Sequence, residues 1–295
     1  MRDRTNRHLI TAKRKFKEGR ANLLGYQAAY LHSAVEKPKG TLVCFHGWLD
    51  NAGSFVPLAE ALPDYEFYLW DFFGHGKSAH KHKGDRYHYI DLIPFIDAAL
   101  GFIDKDDVVL TGHSMGAGAC SLYAGSIGKR IVRIFLIEGF APLTAAPADA
   151  PRILRDGVSE FRKAQNLPKP VYASVDDAVK IRMRVNGLTR QNALPLVARA
   201  VKKAEGGITW RADFRLRAPS LIRMTQEQVA AIVGNIQVPA LLVLGDRGMA
   251  ELHKAARDNH ELVKKLKIET LAGHHHLHID NAPEVAALFR RFMEQ

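Results

Sequence analysis

Val108-Val109-Leu110-Thr111-Gly112-His113-Ser114-Met115-Gly116-Ala117-Gly118 is the stretch that decides the fold. The β-branched and aliphatic run at its start predicts a buried strand, and the small residues after Ser114 predict a closely packed helix. Between them stands G-x-S-x-G, in which Gly112 and Gly116 remove the side chains that would collide if the chain reversed sharply at the serine. A serine on such a strand-to-helix turn takes a strained backbone conformation that presents its hydroxyl as a nucleophile. Serine also serves as a plain helix cap. The preceding strand favours the nucleophile.

Outward from this turn, short apolar runs alternate with longer helical patterns, the signature of a mainly parallel sheet flanked by helices. The other predicted strands are Gly25 to His32, Thr41 to His46, Glu66 to Asp71, Ile131 to Ile137, Ala240 to Leu244 and Lys267 to Thr270. Several are continuous apolar runs, as strands buried on both faces are. From about Ala141 to Gly234 the strand signal disappears and helical spacing takes over, for example in Asp176 to Val185 and Ala193 to Glu205. The expected organisation is therefore a basic N-terminal arm (1–20), an α/β core (21–140 and 235–295) and an inserted helical cap (141–234) over the C-terminal edge of the sheet. Pro142, Pro147, Pro151, Pro168 and Pro170 crowd the first part of the cap and predict an irregular entry.

Composition narrows the function classes. With 295 residues and 47% hydrophobic content the chain can bury one enzyme-sized core. The net charge of +11 invites a nucleic-acid or anionic-surface reading. However, the basic residues are dispersed from Arg2 to Arg291 without interleaved aromatic stacking platforms, so no nucleic-acid partner is expected. No run of about eighteen uncharged apolar residues occurs, and the N-terminus is polar, so neither membrane insertion nor export is expected. Cys44 and Cys120 each sit in an apolar segment and read as small core residues of a reducing, cytoplasmic setting. No cofactor is implied, and the oligomeric state is not readable.

Acyl transfer needs two preorganised N–H donors where negative charge develops. At the end of the Thr41 to His46 strand comes Phe45-His46-Gly47-Trp48-Leu49-Asp50-Asn51, whose glycine lets the backbone turn beneath the nucleophile. The natural donor pair is the backbone amides of Met115 and Trp48. The Trp48 side chain also suits a pocket wall.

Together, His46-Gly47-Trp48, Asp71-Phe72-Phe73-Gly74-His75-Gly76-Lys77-Ser78, Gly112-His113-Ser114-Met115-Gly116 and a late histidine resemble the α/β-hydrolase superfamily. More narrowly, Gly47 to Phe55 and His275-His276-Leu277-His278 resemble the serine hydrolase-like and mesoderm-specific-transcript group. The resemblance spans about Leu42 to Phe292 and is weakest in the cap. It implies that Asp71 is structural, and it makes Phe73 a departure, since that segment usually carries proline there.

Serine is too weakly acidic to attack unaided, so a histidine must accept its proton and a carboxylate must orient that histidine. Leu271 to Asp280 holds four histidines where the family places its base. Alignment on the family's H-H-x-H pattern selects His275, while alignment on the Gly-His pair selects His274. The cluster reads poorly as a metal site, because adjacent histidines diverge and neither H-E-x-x-H nor a cysteine partner accompanies them. For the acid, many family members carry G-x-x-D after the penultimate strand, but Gly245-Asp246-Arg247-Gly248 has glycine at the acid's place. Glu138, ending the apolar strand Ile131 to Ile137, occupies the alternative position used by some members, including a branch of the haloalkane dehalogenases. A carboxylate there would be poorly solvated without a partner, which favours Glu138 over Asp246.

The expected chemistry is serine hydrolysis of a small acyl substrate: a carboxylic ester, thioester or lactone. Tyr172, Met183, Trp210, Phe214 and Met224 are candidate pocket liners with an equally natural core role. The rival reading is a receptor-like, non-catalytic use of the same fold to hold a small ligand.

Overall fold

The computed structural model describes residues 14–295, so the first thirteen positions of the expected basic arm lie outside the described residues. The strands in chain order are β1 (Lys17–Leu23), β2 (Tyr26–Ser33), β3 (Thr41–Phe45), β4 (Glu66–Trp70), β5 (Val108–His113), β6 (Ile131–Ile137), β7 (Val171–Tyr172), β8 (Val201–Ala204), β9 (Gly207–Trp210), β10 (Ala240–Arg247) and β11 (Leu266–His274). The helices are α1 (Val56–Ala61), α2 (Leu92–Ile103), α3 (Met115–Ser126), α4 (Ala150–Asn166), α5 (Val175–Asn186), α6 (Arg190–Ala200), α7 (Gln226–Val233), α8 (Ala250–Asn259), α9 (Leu277–Asp280) and α10 (Ala282–Met293).

Eight strands form the central sheet in the order β1-β2-β4-β3-β5-β6-β10-β11. The β1–β2 and β2–β4 pairs are antiparallel, and every later pair is parallel. Strand alternation feeds two cores. Val43, Phe45, Leu110, Leu136 and Leu242 join α2, α3 and α7 on one face, while Leu42, Cys44, Val109, Phe135 and Val243 join α1 and α10 on the other. That double burial is why these strands read as unbroken apolar runs. From β3 the chain moves outward to β4 and then returns to β5 on the other side of β3. A parallel sheet opens a crevice at the carboxyl ends of such strands, and there β3 leads to Trp48 and β5 to Ser114.

Three expectations need correction. Lys17 to Arg20 do not belong to a separate arm, because they are part of β1. Its glycine and charged residues disfavour strands in sequence terms; Gly19 lies against the Tyr30 ring opposite, which would have to move aside for a Cβ there. The hairpin closes through Leu24 and Gly25, both at positive φ, as a two-residue loop demands. The inserted region is not purely helical either: β7, β9 and β8 form a separate antiparallel sheet, and the helix expected from Ala193 to Glu205 stops at Ala200. Finally, α7 lies within the expected cap but belongs to the main core, since Val229 and Val233 are buried there and Ile232 closes against Gly125 of α3. The insertion proper has its own small core of Ala178, Val179, Leu188, Ala193, Leu196 and Val197.

Candidate active site

Ser114 sits between β5 and α3 at φ 52° and ψ −114°, a strained conformation for a residue with a side chain. Its amide donates to the Ile137 carbonyl at 2.9 Å, tying the turn to the end of β6. The reversal brings α3 so close to β3 that a Cβ on Gly116 would lie 2.1 Å from the Phe45 carbonyl oxygen. The glycine spacing therefore reflects close backbone packing.

His275 stands on the loop after β11, with Nε2 2.9 Å from Ser114 Oγ and Nδ1 2.9 Å from Glu138 Oε2. Of the two candidate bases it is His275 that meets the serine; His274 is an exposed end residue of β11. Of the two candidate acids, Glu138 meets His275. Asp246 is half-exposed, accepts the Gly273 amide at 2.8 Å and lies 3.5 Å from Arg247.

Glu138 is completely buried, directly after β6 and at φ 52°. Its Oε1 accepts the Gly245 amide at 2.6 Å and His253 Nε2 at 3.0 Å. Burial pushes its carboxyl upward, but the hydrogen bonds from His275, the Gly245 amide and His253 outweigh burial and hold it below the usual carboxylate range. It is therefore ionised at neutral pH, as an orienting acid must be. His253, on α8, was missed in the sequence: a single histidine on a polar helix carries no periodic or motif signal. Gly248 leaves room for the Glu138 carboxylate, since a Cβ there would lie 2.3 Å from Glu138 Oε2. A side chain there and the Glu138 carboxylate compete for one space.

Met115 is the first residue of α3, where an amide has no intrahelical partner and the helix dipole favours negative charge. Trp48 lies in a tight turn closed by the Asp50 amide on the Gly47 carbonyl at 3.2 Å, with Leu49 at φ 58°. The insertion grips this turn. Trp48 Nε1 donates to the Leu216 carbonyl at 2.9 Å, Asn51 Nδ2 to the Leu196 carbonyl at 2.9 Å, and Arg182 to the Leu49 carbonyl. The indole remains half-exposed.

Asp71 is completely buried and structural in its contacts, accepting the Ala52 and Lys77 amides at 2.7 Å each and Arg199 Nε at 2.8 Å. Phe73 packs on Phe95 and Tyr26. Among the candidate pocket liners, Met183 and Trp210 pack on the core of the insertion and Met224 on the main core. Tyr172 meets Trp210 edge-on at 5.9 Å, and Phe214 is buried.

A model of the alpha/beta hydrolase fold matches residues 40–282. A serine hydrolase-like protein of Danio rerio is 23% identical over 264 residues, covering 86% of this chain and 81% of the relative. A hypothetical protein from Pseudomonas aeruginosa PAO1 has a solved structure 35% identical to this chain, with a TM-score of 0.87 over 94% of this chain and 99% of that one. The thioesterase domain from the curacin biosynthetic pathway is 25% identical, with a TM-score of 0.80 over 94% of this chain and 99% of that domain. Elbow, sheet order and family match agree, and the chain belongs to the α/β-hydrolase fold family.

Proposed function

We propose that the protein is a serine hydrolase that cleaves a small carboxylic ester or thioester through an acyl-enzyme on Ser114. The observation that carries this reading is the unbroken hydrogen-bonded chain Ser114 Oγ, His275 and Glu138, at 2.9 Å in each link. Ser114 Oγ attacks the acyl carbon while His275 Nε2 takes the hydroxyl proton, and the Met115 and Trp48 amides receive the developing oxyanion. His275 then returns that proton to the departing alkoxide or thiolate. Water attacks the acyl-enzyme, His275 takes its proton, and the acid leaves as Ser114 recovers its hydrogen. Throughout, Glu138 stays ionised and holds the Nδ1–H tautomer of His275.

The insertion acts as a cap in this reading, and its three bonds to the 47–51 turn couple its position to one oxyanion donor. Among the described residues no helix is long and apolar enough to cross a membrane, and both thiols, Cys44 and Cys120, are buried and free. A cytoplasmic setting with a diffusible acyl substrate accords with these features.

A panel of short-chain aryl esters, their thioester counterparts and simple lactones tests the reading. The expected result is steady turnover of at least one class that falls by at least about a thousandfold in Ser114→Ala. Saturable ligand binding with no turnover of any class would favour a receptor-like use of the fold.

A further inference from the structure

Behind the Ser114–His275 contact lies a second polar cluster that this chemistry does not use. Asp50 from the turn after β3, His113 at the end of β5 and His276 beside the proposed base are all buried, and one ligand atom from each lies within 4.8 Å of the other two. Asp50 Oδ2 is 3.2 Å from His276 Nε2 and 3.7 Å from His113 Nδ1. Donors bound tetrahedrally to zinc at about 2.0–2.1 Å stand about 3.4 Å from one another, so the cluster is close to ligand spacing.

The His113 proton points the same way. His113 Nε2 lies 2.8 Å from the His275 carbonyl, which can only accept, so the proton of a neutral His113 is on Nε2. That leaves the Nδ1 lone pair buried without a hydrogen-bond partner. An imidazole whose other N–H is held by a backbone carbonyl is arranged as metal-bearing histidines are. His276 Nε2 faces the side-chain amide of Asn186 at 3.3 Å, and Asn186 is oriented by Arg182, which donates to its Oδ1 at 3.1 Å. His276 Nε2 also lies 3.2 Å from Asp50 Oδ2, which as a carboxylate only accepts, so the proton of His276 there is the one an entering metal ion displaces. Arg182 Nη1 lies 3.4 Å from Asp50 Oδ1, so the lone carboxylate is shared with a guanidinium. Hard cations that need six or more oxygen ligands are thereby disfavoured, while two imidazoles and one carboxylate suit zinc.

We infer that Asp50, His113 and His276 form a binding site for a transition-metal dication, Zn2+ foremost, with water as fourth ligand, and that its occupancy inhibits the enzyme. Asp50 ends the turn that carries Trp48, His113 precedes Ser114, and His276 follows His275. Contraction onto an ion displaces oxyanion turn, nucleophile and base together. The inhibition rests on the proposed hydrolase activity, whereas metal binding does not.

Crystals of the full chain soaked in zinc chloride, with anomalous data at the zinc edge, test the site without any substitution. The expected peak lies between Asp50, His113 and His276. A peak at Glu138, His275 and His253, a peak at exposed His274, or no peak would overturn the inference. Calorimetric titration with zinc chloride should show affinity at least about tenfold weaker in His276→Gln and Asp50→Asn, given what even outer-shell changes cost metal sites. It should be unchanged in His275→Ala, and loss of zinc binding in that variant would equally refute the site. If esters and thioesters are not turned over while these binding results hold, the hydrolase reading fails and the metal site stands. If turnover is insensitive to zinc at saturating occupancy, the inhibitory role fails.

Discussion

Glu138 accepts from two histidines at once, and each makes its own prediction. With His275 Nδ1 on Oε2 and His253 Nε2 and the Gly245 amide on Oε1, the carboxylate is fixed on both sides. Glu138→Gln keeps the shape but removes the charge that stabilises the imidazolium, so kcat/KM should fall by about 10³- to 10⁴-fold, as amide replacement of an orienting acid does elsewhere. Near-native activity in that variant would return the role to Asp246. In the proposed mechanism His253 positions the acid, so His253→Ala should lower kcat by about tenfold with KM nearly unchanged, since it contacts Glu138 and not bound substrate. His253→Gln, which keeps an N–H donor at similar reach, should restore most of the loss. A fall in His253→Ala confined to KM would contradict this. The meeting of Glu138 with His275 was legible in the sequence, as a carboxylate closing an apolar strand with a glycine at position 248. His253 was not, because its significance arises only when α8 folds against the end of β6.

The link between α6 and the core shows how far elements were legible. Arg199 is nearly buried, donates through Nε to both carboxylate oxygens of Asp71 at 3.0 and 2.8 Å, and reaches Glu18 on β1 at 3.1 Å. Removing it leaves the Asp71 carboxylate buried with only its backbone donors. Arg199→Met should therefore cost about 3–5 kcal/mol of stability, read as an earlier denaturant midpoint. A shift below about 1 kcal/mol would mean that the Ala52 and Lys77 amides satisfy Asp71 unaided. The predicted core strands Thr41 to His46, Val108 to Gly112 and Ile131 to Ile137 were legible because burial on both faces leaves apolar runs. By contrast, β8 and β9 (Val201–Ala204 and Gly207–Trp210) turn at Glu205 and Gly206 in a small sheet whose outer faces take Lys202 and Lys203. Lysines in sequence beside a helical run look like more helix, so the boundary at Ala200 was invisible until β9 paired with it.

At the scale of the whole molecule, buried imidazoles set the acid stability. Burial lowers His46 to about 4, and burial together with His46 lowers His75 to about 3. Both fall well below the unfolded value near 6.5, so the unfolded chain binds more protons beneath that pH. Their stabilising contribution is complete above about pH 6.5 and declines by roughly 1.4 kcal/mol per pH unit per group on acidification. The lowered carboxyls of Asp50 and Glu138 lose theirs only once pH falls below the ordinary carboxylate range. Thermal unfolding should therefore shift to lower temperature between pH 6.5 and 5, before carboxylates titrate. A Tm constant over that interval would contradict the burial of neutral histidines.

The most direct test of the proposed nucleophile is labelling with a fluorophosphonate probe followed by intact-mass measurement, comparing the native chain with Ser114→Ala under identical conditions. The expected result is one adduct on the native chain and none on the variant, because only a serine activated by His275 attacks phosphorus rapidly. No adduct on a folded native chain, or an equal adduct on Ser114→Ala, would contradict the assignment of Ser114 as the nucleophile.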